Sequence, residues 1–308
     1  MPSEQTRRIP DMSETATIAF IGLGIMGSPM AVNLAKSGHH VIGYSRREAS
    51  ASRLIEAGGT RAESIHEAVQ DADIVITMLP DSPEVIDVAL GSSGIFDSAK
   101  RGALFIDMSS IAPSASRTIA DEAIKRGIAA LDAPVSGGEQ GAIDGKLSIM
   151  VGGSAENFER ALPYLQSVGT TVVHVGGAGA GQTVKVANQL IVAGNLQVLA
   201  EALVFLEAQG VDTQAGLQVL SGGLAGSTVM TRKGESMISR SFKPGFRIAL
   251  HDKDLKNFAV AAHESETATP VGTLLAELFA SAKAEGDGDL DHSAMFRHVE
   301  RLSGSEQG

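Results

Sequence analysis

The chain of 308 residues contains no cysteine. That absence excludes disulfides, thiolate nucleophiles and cysteine–zinc sites, and it leaves the redox compartment undetermined. Positive charge is scarce. Twenty-five Lys and Arg face 36 Asp and Glu, for a formal net charge of -11. Binding to a nucleic-acid backbone needs a basic footprint, as does adhesion to an anionic lipid surface, so neither nucleic acid nor membrane is an expected partner. No apolar run follows the paired Arg7-Arg8, so the N-terminus does not read as a secretory or twin-arginine signal. Residues 1–14 read as a disordered tail, and the cytoplasm is the default location. Internal repeats and low-complexity tracts are also missing. What remains is 43% hydrophobic and 20% charged, as in an ordinary globular protein, and long enough for two domains.

The first half alternates strand-like and helix-like runs. Thr17–Ile21, His40–Tyr44, a short run near Thr60, Asp73–Leu79 and Leu104–Asp107 read as strands, with further candidates at Ala129–Leu131, Leu147–Val151 and Val172–Val175. Helical patterns fall at Met26–Lys36, Ala51–Ala57 and Ile65–Val69. Continuous apolar strands separated by helices predict a doubly wound parallel sheet covered on both faces, a Rossmann-type α/β fold. The Gly-rich run from Val175 to Gly181 marks a boundary. Beyond it the periodicity is helical: Gln182–Gln209, Thr213–Leu220, Val229–Ser236, His251–His263, Pro270–Ala284 and Ser293–Leu302. The expected division is a dinucleotide-binding domain over 15–178 and an all-helical domain for substrate and oligomerisation over 179–303.

Gly22-Leu23-Gly24-Ile25-Met26-Gly27 follows the first strand and opens the first helix. In that context Gly22 permits a tight turn, Gly24 lets the backbone approach a pyrophosphate, and Gly27 lets helix and strand pack closely. A dinucleotide is the expected cofactor. An NAD enzyme would carry an acid at the end of the second strand, whereas this chain has Ser45-Arg46-Arg47, and Glu48 arrives late. Serine and arginine suit a 2′-phosphate. NADP(H) is therefore the expected preference, with NAD(H) as the alternative.

From Val184 to Leu206 the apolar residues leave no wide polar face, so this helix is expected to be buried on most sides. It is long enough to span a bilayer, but Lys185, Asn188, Gln189, Asn195, Gln197, Glu201 and Glu207 interrupt it, and it reads as a core helix. Lys185, Asn188 and Gln189 are spaced by threes and fours and share one stripe. A lone lysine on such a helix ordinarily snorkels to water. A buried one needs hydrogen bonds and has its pKa pulled toward neutrality, which suits proton transfer. No metal is expected. Asp287-Gly288-Asp289-Leu290-Asp291 resembles the start of a calcium loop, but His292 stands where glycine is needed and His298 where the bidentate glutamate belongs.

With these motifs placed, the chain resembles the β-hydroxyacid dehydrogenases, relatives of 6-phosphogluconate and 3-hydroxyisobutyrate dehydrogenase, and most of all their tartronate semialdehyde reductase branch. The likeness runs through Phe20–Gly27, Ile76–Pro80, Ile106–Pro113, Asp132–Glu139, Ala142–Gly145, Gly222–Thr228 and Phe242–Arg247. It implies NADPH-dependent reduction of a small carboxylate substrate, tartronate semialdehyde to glycerate, with Lys185 as general acid. It implies that Ser136, Gly137 and Gly138 hold the substrate carboxylate and that Asn188 or Gln189 orients the substrate. Met78, Leu79, Pro80 and Ser110 match cofactor-contacting positions, and Lys253 matches a lysine near the nicotinamide; its alternative is a surface charge beside Asp252 and Asp254. A 3-hydroxyisobutyrate dehydrogenase, a glyoxylate or succinic semialdehyde reductase, and a non-catalytic dinucleotide-binding protein remain as alternatives. The apolar helical domain predicts a homodimer or homotetramer.

Overall fold

The computed structural model describes residues 15–305, so the tail assigned to residues 1–14 lies outside the described residues. Nine strands form one sheet: β1 (Thr17–Ile21), β2 (His40–Tyr44), β3 (Thr60–Arg61), β4 (Ile74–Thr77), β5 (Leu104–Asp107), β6 (Ala129–Asp132), β7 (Val135–Ser136), β8 (Leu147–Gly152) and β9 (Gly169–Gly176). Helices α1 (Gly27–Lys36), α2 (Ser52–Glu56), α3 (Ile65–Val69), α4 (Ser82–Leu90), α5 (Ile95–Ser98), α6 (Pro113–Lys125), α7 (Gly138–Ile143) and α8 (Ala155–Gln166) connect them. The strand order is β3-β2-β1-β4-β5-β6-β8-β7, with β9 beside β8.

Period-two alternation explains why both faces are covered. Ile18, Phe20, Ile74, Ile76, Leu104 and Ile106 pack into one buried cluster, while Ala19, Ile21, Val75 and Phe105 pack into another. The chain order reverses between β1 and β4, which is where open α/β sheets bind ligands, beyond the carboxyl ends of the strands. In-register pairing lines up Tyr44, Ile21, Thr77, Asp107 and Asp132 across that edge.

The sheet is not wholly parallel. β8 runs antiparallel to both β6 and β7, because the connections from β6 through β7 and α7 turn the chain back on itself. Glycines at positive φ, Gly137 at 143° and Gly138 at 67°, begin that reversal.

After β9 the described chain is helical: α9 (Ala180–Ala208), α10 (Thr213–Ser221), α11 (Thr228–Ile238), α12 (Ile248–Glu264), α13 (Pro270–Ala284) and α14 (Met295–Leu302). Leu196, Leu199, Leu203, Met237, Ile248, Leu255, Phe279 and Phe296 make its core. Helix α9 is not buried on most sides, contrary to its apolar sequence. Val184, Ile191, Val198 and Phe205 recur every seventh residue and are 38%, 64%, 61% and 62% exposed. Its polar Gln182, Lys185, Gln189 and Gln197 are buried together with apolar Val186, Ala193, Leu196, Leu199, Ala200, Leu203 and Val204. Helical domain and sheet cover one stripe of α9, and hydrogen bonding draws the polar groups into that stripe.

Candidate active site

The three glycines of the first turn divide their work as their positions require. A Cβ on Gly22, where φ is 104°, would lie 2.3 Å from Met78 O, and one on Gly27 would lie 1.9 Å from Gly22 O. Neither position admits a side chain. A Cβ on Gly24 would meet nothing within 4 Å, so this glycine borders open space beside the first turn of α1. That combination fits a pyrophosphate held by backbone N–H groups. The Leu23 side chain is buried, while that of Ile25 is exposed.

At the end of β2, Ser45 is half-buried and Arg46 and Arg47 are exposed. Glu48 lies 3.6 Å from Arg61, whose strand β3 pairs with β2. The acid is thus engaged at the surface, and the two arginines form no ion pair among the described residues.

The next two loops are tied together at the same edge. Leu79 N donates to Ser109 Oγ at 2.8 Å, and Ser109 N donates to Asp107 Oδ1 at 3.1 Å, which also accepts from Thr77 Oγ1 at 2.8 Å. Lys253 reaches both loops from α12: its Nζ donates to Pro80 O at 3.1 Å and to Ser110 O. It also pairs with Asp254 at 2.9 Å. With its side chain 17% exposed, Lys253 is an interdomain clasp and not a free surface charge.

Helix α9 begins against this edge. Asp132 accepts from Gly179 N and Gln182 N, both at 2.8 Å, satisfying first-turn amides. Gln182 accepts from Ile111 N at 3.1 Å and donates to Ser109 O at 2.8 Å. One turn later Lys185 is buried, and its Nζ donates to Val135 O at 2.8 Å and to Gln189 Oε1 at 3.0 Å. Asn188 Nδ2 donates to the same Gln189 Oε1 at 2.9 Å, so the predicted stripe is a bonded cluster. Gln189 Nε2 donates to Asp254 Oδ2 at 2.6 Å. Burial draws the Lys185 ammonium down to about 8, with Asp254 opposing and Lys253 reinforcing the shift. An amine so poised can donate or accept a proton near neutral pH.

Val135 opens the segment Ser136-Gly137-Gly138, which places it beside Lys185. The Ser136 hydroxyl has no hydrogen bond among the described residues, and a Cβ on Gly138 would meet open space.

Sequence reading did not pick out Asp132, Gln182 and Asp254 as site builders. Gln182 stands three residues before Lys185, on the same helical stripe, which was an available signal. The role of Asp132 depends on β6 ending beside the start of α9, which no local pattern reveals. Asp254 was visible only as one charge in the Asp252-Lys253-Asp254 run.

Comparison with known proteins agrees with this geometry. The family described as the NAD binding domain of 6-phosphogluconate dehydrogenase matches residues 17–176. The family described as NAD-binding of NADP-dependent 3-hydroxyisobutyrate dehydrogenase matches residues 179–299. The 2-hydroxy-3-oxopropionate reductase of Escherichia coli (strain K12) is 42% identical over 93% of this chain and 98% of its own length. A 3-hydroxyisobutyrate dehydrogenase of Pseudomonas aeruginosa is 36% identical over 90% of this chain and 96% of its own. Among solved structures, the 3-hydroxyisobutyrate dehydrogenase of Mycobacterium tuberculosis with L-serine superposes with a TM-score of 0.85. It is 35% identical and matches over 93% of this chain and 99% of that one.

Proposed function

The chain belongs to the β-hydroxyacid dehydrogenase family of NAD(P)-binding oxidoreductases, and from that premise we propose that it reduces tartronate semialdehyde to glycerate with NADPH. The observation that carries the reading is the buried Lys185 ammonium, held by Val135 O and Gln189 Oε1 beside the Ser136-Gly137-Gly138 segment. The dinucleotide, when bound, supplies hydride to the substrate carbonyl carbon. Lys185 Nζ gives its proton to the carbonyl oxygen as negative charge develops there, and it takes the proton back from the hydroxyl in the reverse direction. Ser136, Gly137 and Gly138 hold the carboxylate. Gln189 keeps the ammonium in place, and Asn188 is the carboxamide nearer the substrate. Gly22, Gly24 and Gly27 would hold the pyrophosphate, and Ser45, Arg46 and Arg47 the 2′-phosphate. The loops Met78-Leu79-Pro80 and Ser110, braced by Lys253, would border the nicotinamide.

Two relatives support a three-carbon acid. One bears the name 2-hydroxy-3-oxopropionate reductase, and the other was solved with L-serine, which carries a carboxylate and a hydroxymethyl group. 3-Hydroxyisobutyrate, glyoxylate and succinic semialdehyde chemistry would use the same site. A non-catalytic dinucleotide-binding role leaves the buried, hydrogen-bonded Lys185 without a purpose.

The test is NADPH oxidation with tartronate, methylmalonate and succinic semialdehydes and glyoxylate, for wild type and Lys185→Ala. Tartronate semialdehyde is expected to give the highest kcat/KM. The variant is expected to lose at least about a thousandfold in kcat while calorimetry shows cofactor still bound. Undiminished turnover in Lys185→Ala sinks the reading.

We also infer that the chain assembles as a homodimer or homotetramer through α9. The heptad stripe Val184, Ile191, Val198 and Phe205 is accompanied by exposed Ala187 and Ala208, small residues that let a second copy of the helix approach closely. Light scattering of wild type and Ile191→Asp tests this. A monomeric wild type overturns it.

A further inference from the structure

Arg232 lies on α11 in the helical domain, yet its side chain ends against the sheet domain, where Nη1 donates to Gly137 O at 3.3 Å. Gly137 is two residues from Val135, whose carbonyl accepts from Lys185 Nζ. Two residues of chain span at most about 7 Å. A guanidinium and an ammonium, both from the helical domain, therefore grip carbonyls two residues apart in one short segment.

The contact with Gly137 leaves most of the guanidinium unused, since one carbonyl occupies one of its five donors. Its helix neighbours are engaged elsewhere: Lys233 pairs with Asp291 at 2.9 Å, and Glu235 accepts from Gln214 at 3.1 Å. Arg232 itself has no ion-pair partner among the described residues. A planar fork of this kind meets a two-oxygen anion through two parallel N–H···O bonds between opposite charges, where a carbonyl offers one bond to a neutral acceptor. Beside it the turn is open. Gly137 and Gly138 take φ of 143° and 67°, a Cβ on Gly138 would meet nothing within 4 Å, and the Ser136 hydroxyl lacks a partner among the described residues. The whole chain carries a net charge of -11, which repels an anionic substrate unless cations line the way in.

We propose that Arg232 is the specificity residue for the substrate's acid group: its guanidinium leaves Gly137 O and forks onto the carboxylate that Ser136 and Gly138 hold from the other side. The inference rests on the reductase reading given above and adds to it a charged selector. An acid exchanges a single bond to a neutral carbonyl for a charge-assisted pair, whereas a neutral aldehyde leaves Arg232 where it is. The site therefore discriminates aldehyde acids from neutral aldehydes of the same size.

The experiment compares KM for tartronate semialdehyde with KM for glyceraldehyde, in which a hydroxymethyl group replaces the carboxylate. In Arg232→Gln the ratio of the neutral to the acid KM is expected to fall about tenfold, carried by KM for the acid and not by kcat. Arg232→Lys is expected to recover part of the ratio, because charge returns without the fork. A ratio equal to wild type in Arg232→Gln overturns the proposal. Should another semialdehyde acid be the preferred substrate, the ratio is read on that acid, and the substrate reading fails while the proposal stands or falls separately. A calorimetric titration of the protein–NADP+ complex with malonate needs no turnover. Binding about tenfold weaker in Arg232→Gln supports the proposal, whereas equal affinity in both proteins, or no binding to either, overturns it.

Discussion

Gln189 Nε2 lies 2.6 Å from Asp254 Oδ2, and its Oε1 lies 3.0 Å from Lys185 Nζ, so one amide separates a buried carboxylate from a buried ammonium. The arrangement fixes the rotamer of Gln189 and sets the electrostatics of Lys185. Asp254 favours the charged amine, while Lys253 disfavours it. Replacing Asp254 by Asn removes the favourable charge and leaves Lys253 unopposed. The Lys185 pKa is expected to fall further, so the alkaline limb of the reduction pH–rate profile moves to lower pH. The shift is expected to be about one unit. An unmoved limb contradicts the electrostatic role.

The wild-type profile follows from the same amine. Reduction needs protonated Lys185 and is expected to decline as pH rises through about 8. Oxidation of glycerate needs the neutral amine and is expected to rise through the same range. Because this pKa lies below the ordinary lysine value, the unfolded chain binds the extra proton between about 8 and 10.5. Lys185 therefore destabilises the fold at neutral pH, and the penalty lessens as pH rises through that window. Lys185→Met is expected to raise Tm at pH 7, measurable by calorimetry.

Two glycines of the first turn give opposite outcomes. Gly24→Val places its side chain in open space and is expected to weaken dinucleotide binding about a hundredfold, with Tm little changed. Gly27→Val drives a Cβ into the Gly22 carbonyl and is expected to destabilise the fold by about 3 kcal/mol or more. Titration calorimetry and thermal melts on the two variants separate binding from packing.

The exposed arginines after β2 set the cofactor prediction. Arg46→Ala combined with Arg47→Ala is expected to raise KM for NADPH about tenfold or more, while KM for NADH changes little. If both cofactors weaken equally, the arginines do not read the 2′-phosphate.

Asp107 is fully buried, and its Oδ2 has no partner among the described residues although Oδ1 has two. Burial raises its pKa to about 6, and the nearby Asp132 charge adds to the shift. The unfolded chain loses this proton first, so wild-type stability falls as pH rises from about 4 to 6. Asp107→Asn keeps an oxygen for Thr77 and Ser109 and carries no charge. It is expected to be more stable than wild type at pH 8 and no more stable at pH 3, as shown by denaturant midpoints at the two values. A gain independent of pH contradicts the titration.

Local pattern carried much of the outcome. The strand runs and the glycine turn were legible because each depends on residues adjacent in sequence. The stripe of Lys185, Asn188 and Gln189 was legible because helical period alone brings those side chains together. Strand direction was not. The antiparallel course of β8 follows from a turn at Gly137 and Gly138, and a run of apolar residues reads the same in either direction. Burial of α9 also went unread, since a nearly all-apolar helix does not say which side the core will cover.

The amino-acid order by itself determined the αβ alternation, the pyrophosphate-type turn and the side chains that share one face of α9, because all of these rest on short-range sterics and periodicity. Tertiary structure alone decided that Asp132 meets the start of α9, that Lys253 clasps the Pro80 and Ser110 loops, and that Arg232 reaches Gly137. Each of those contacts joins residues about fifty to 170 positions apart. Their meeting is set by how one domain packs on the other, and no local propensity encodes it.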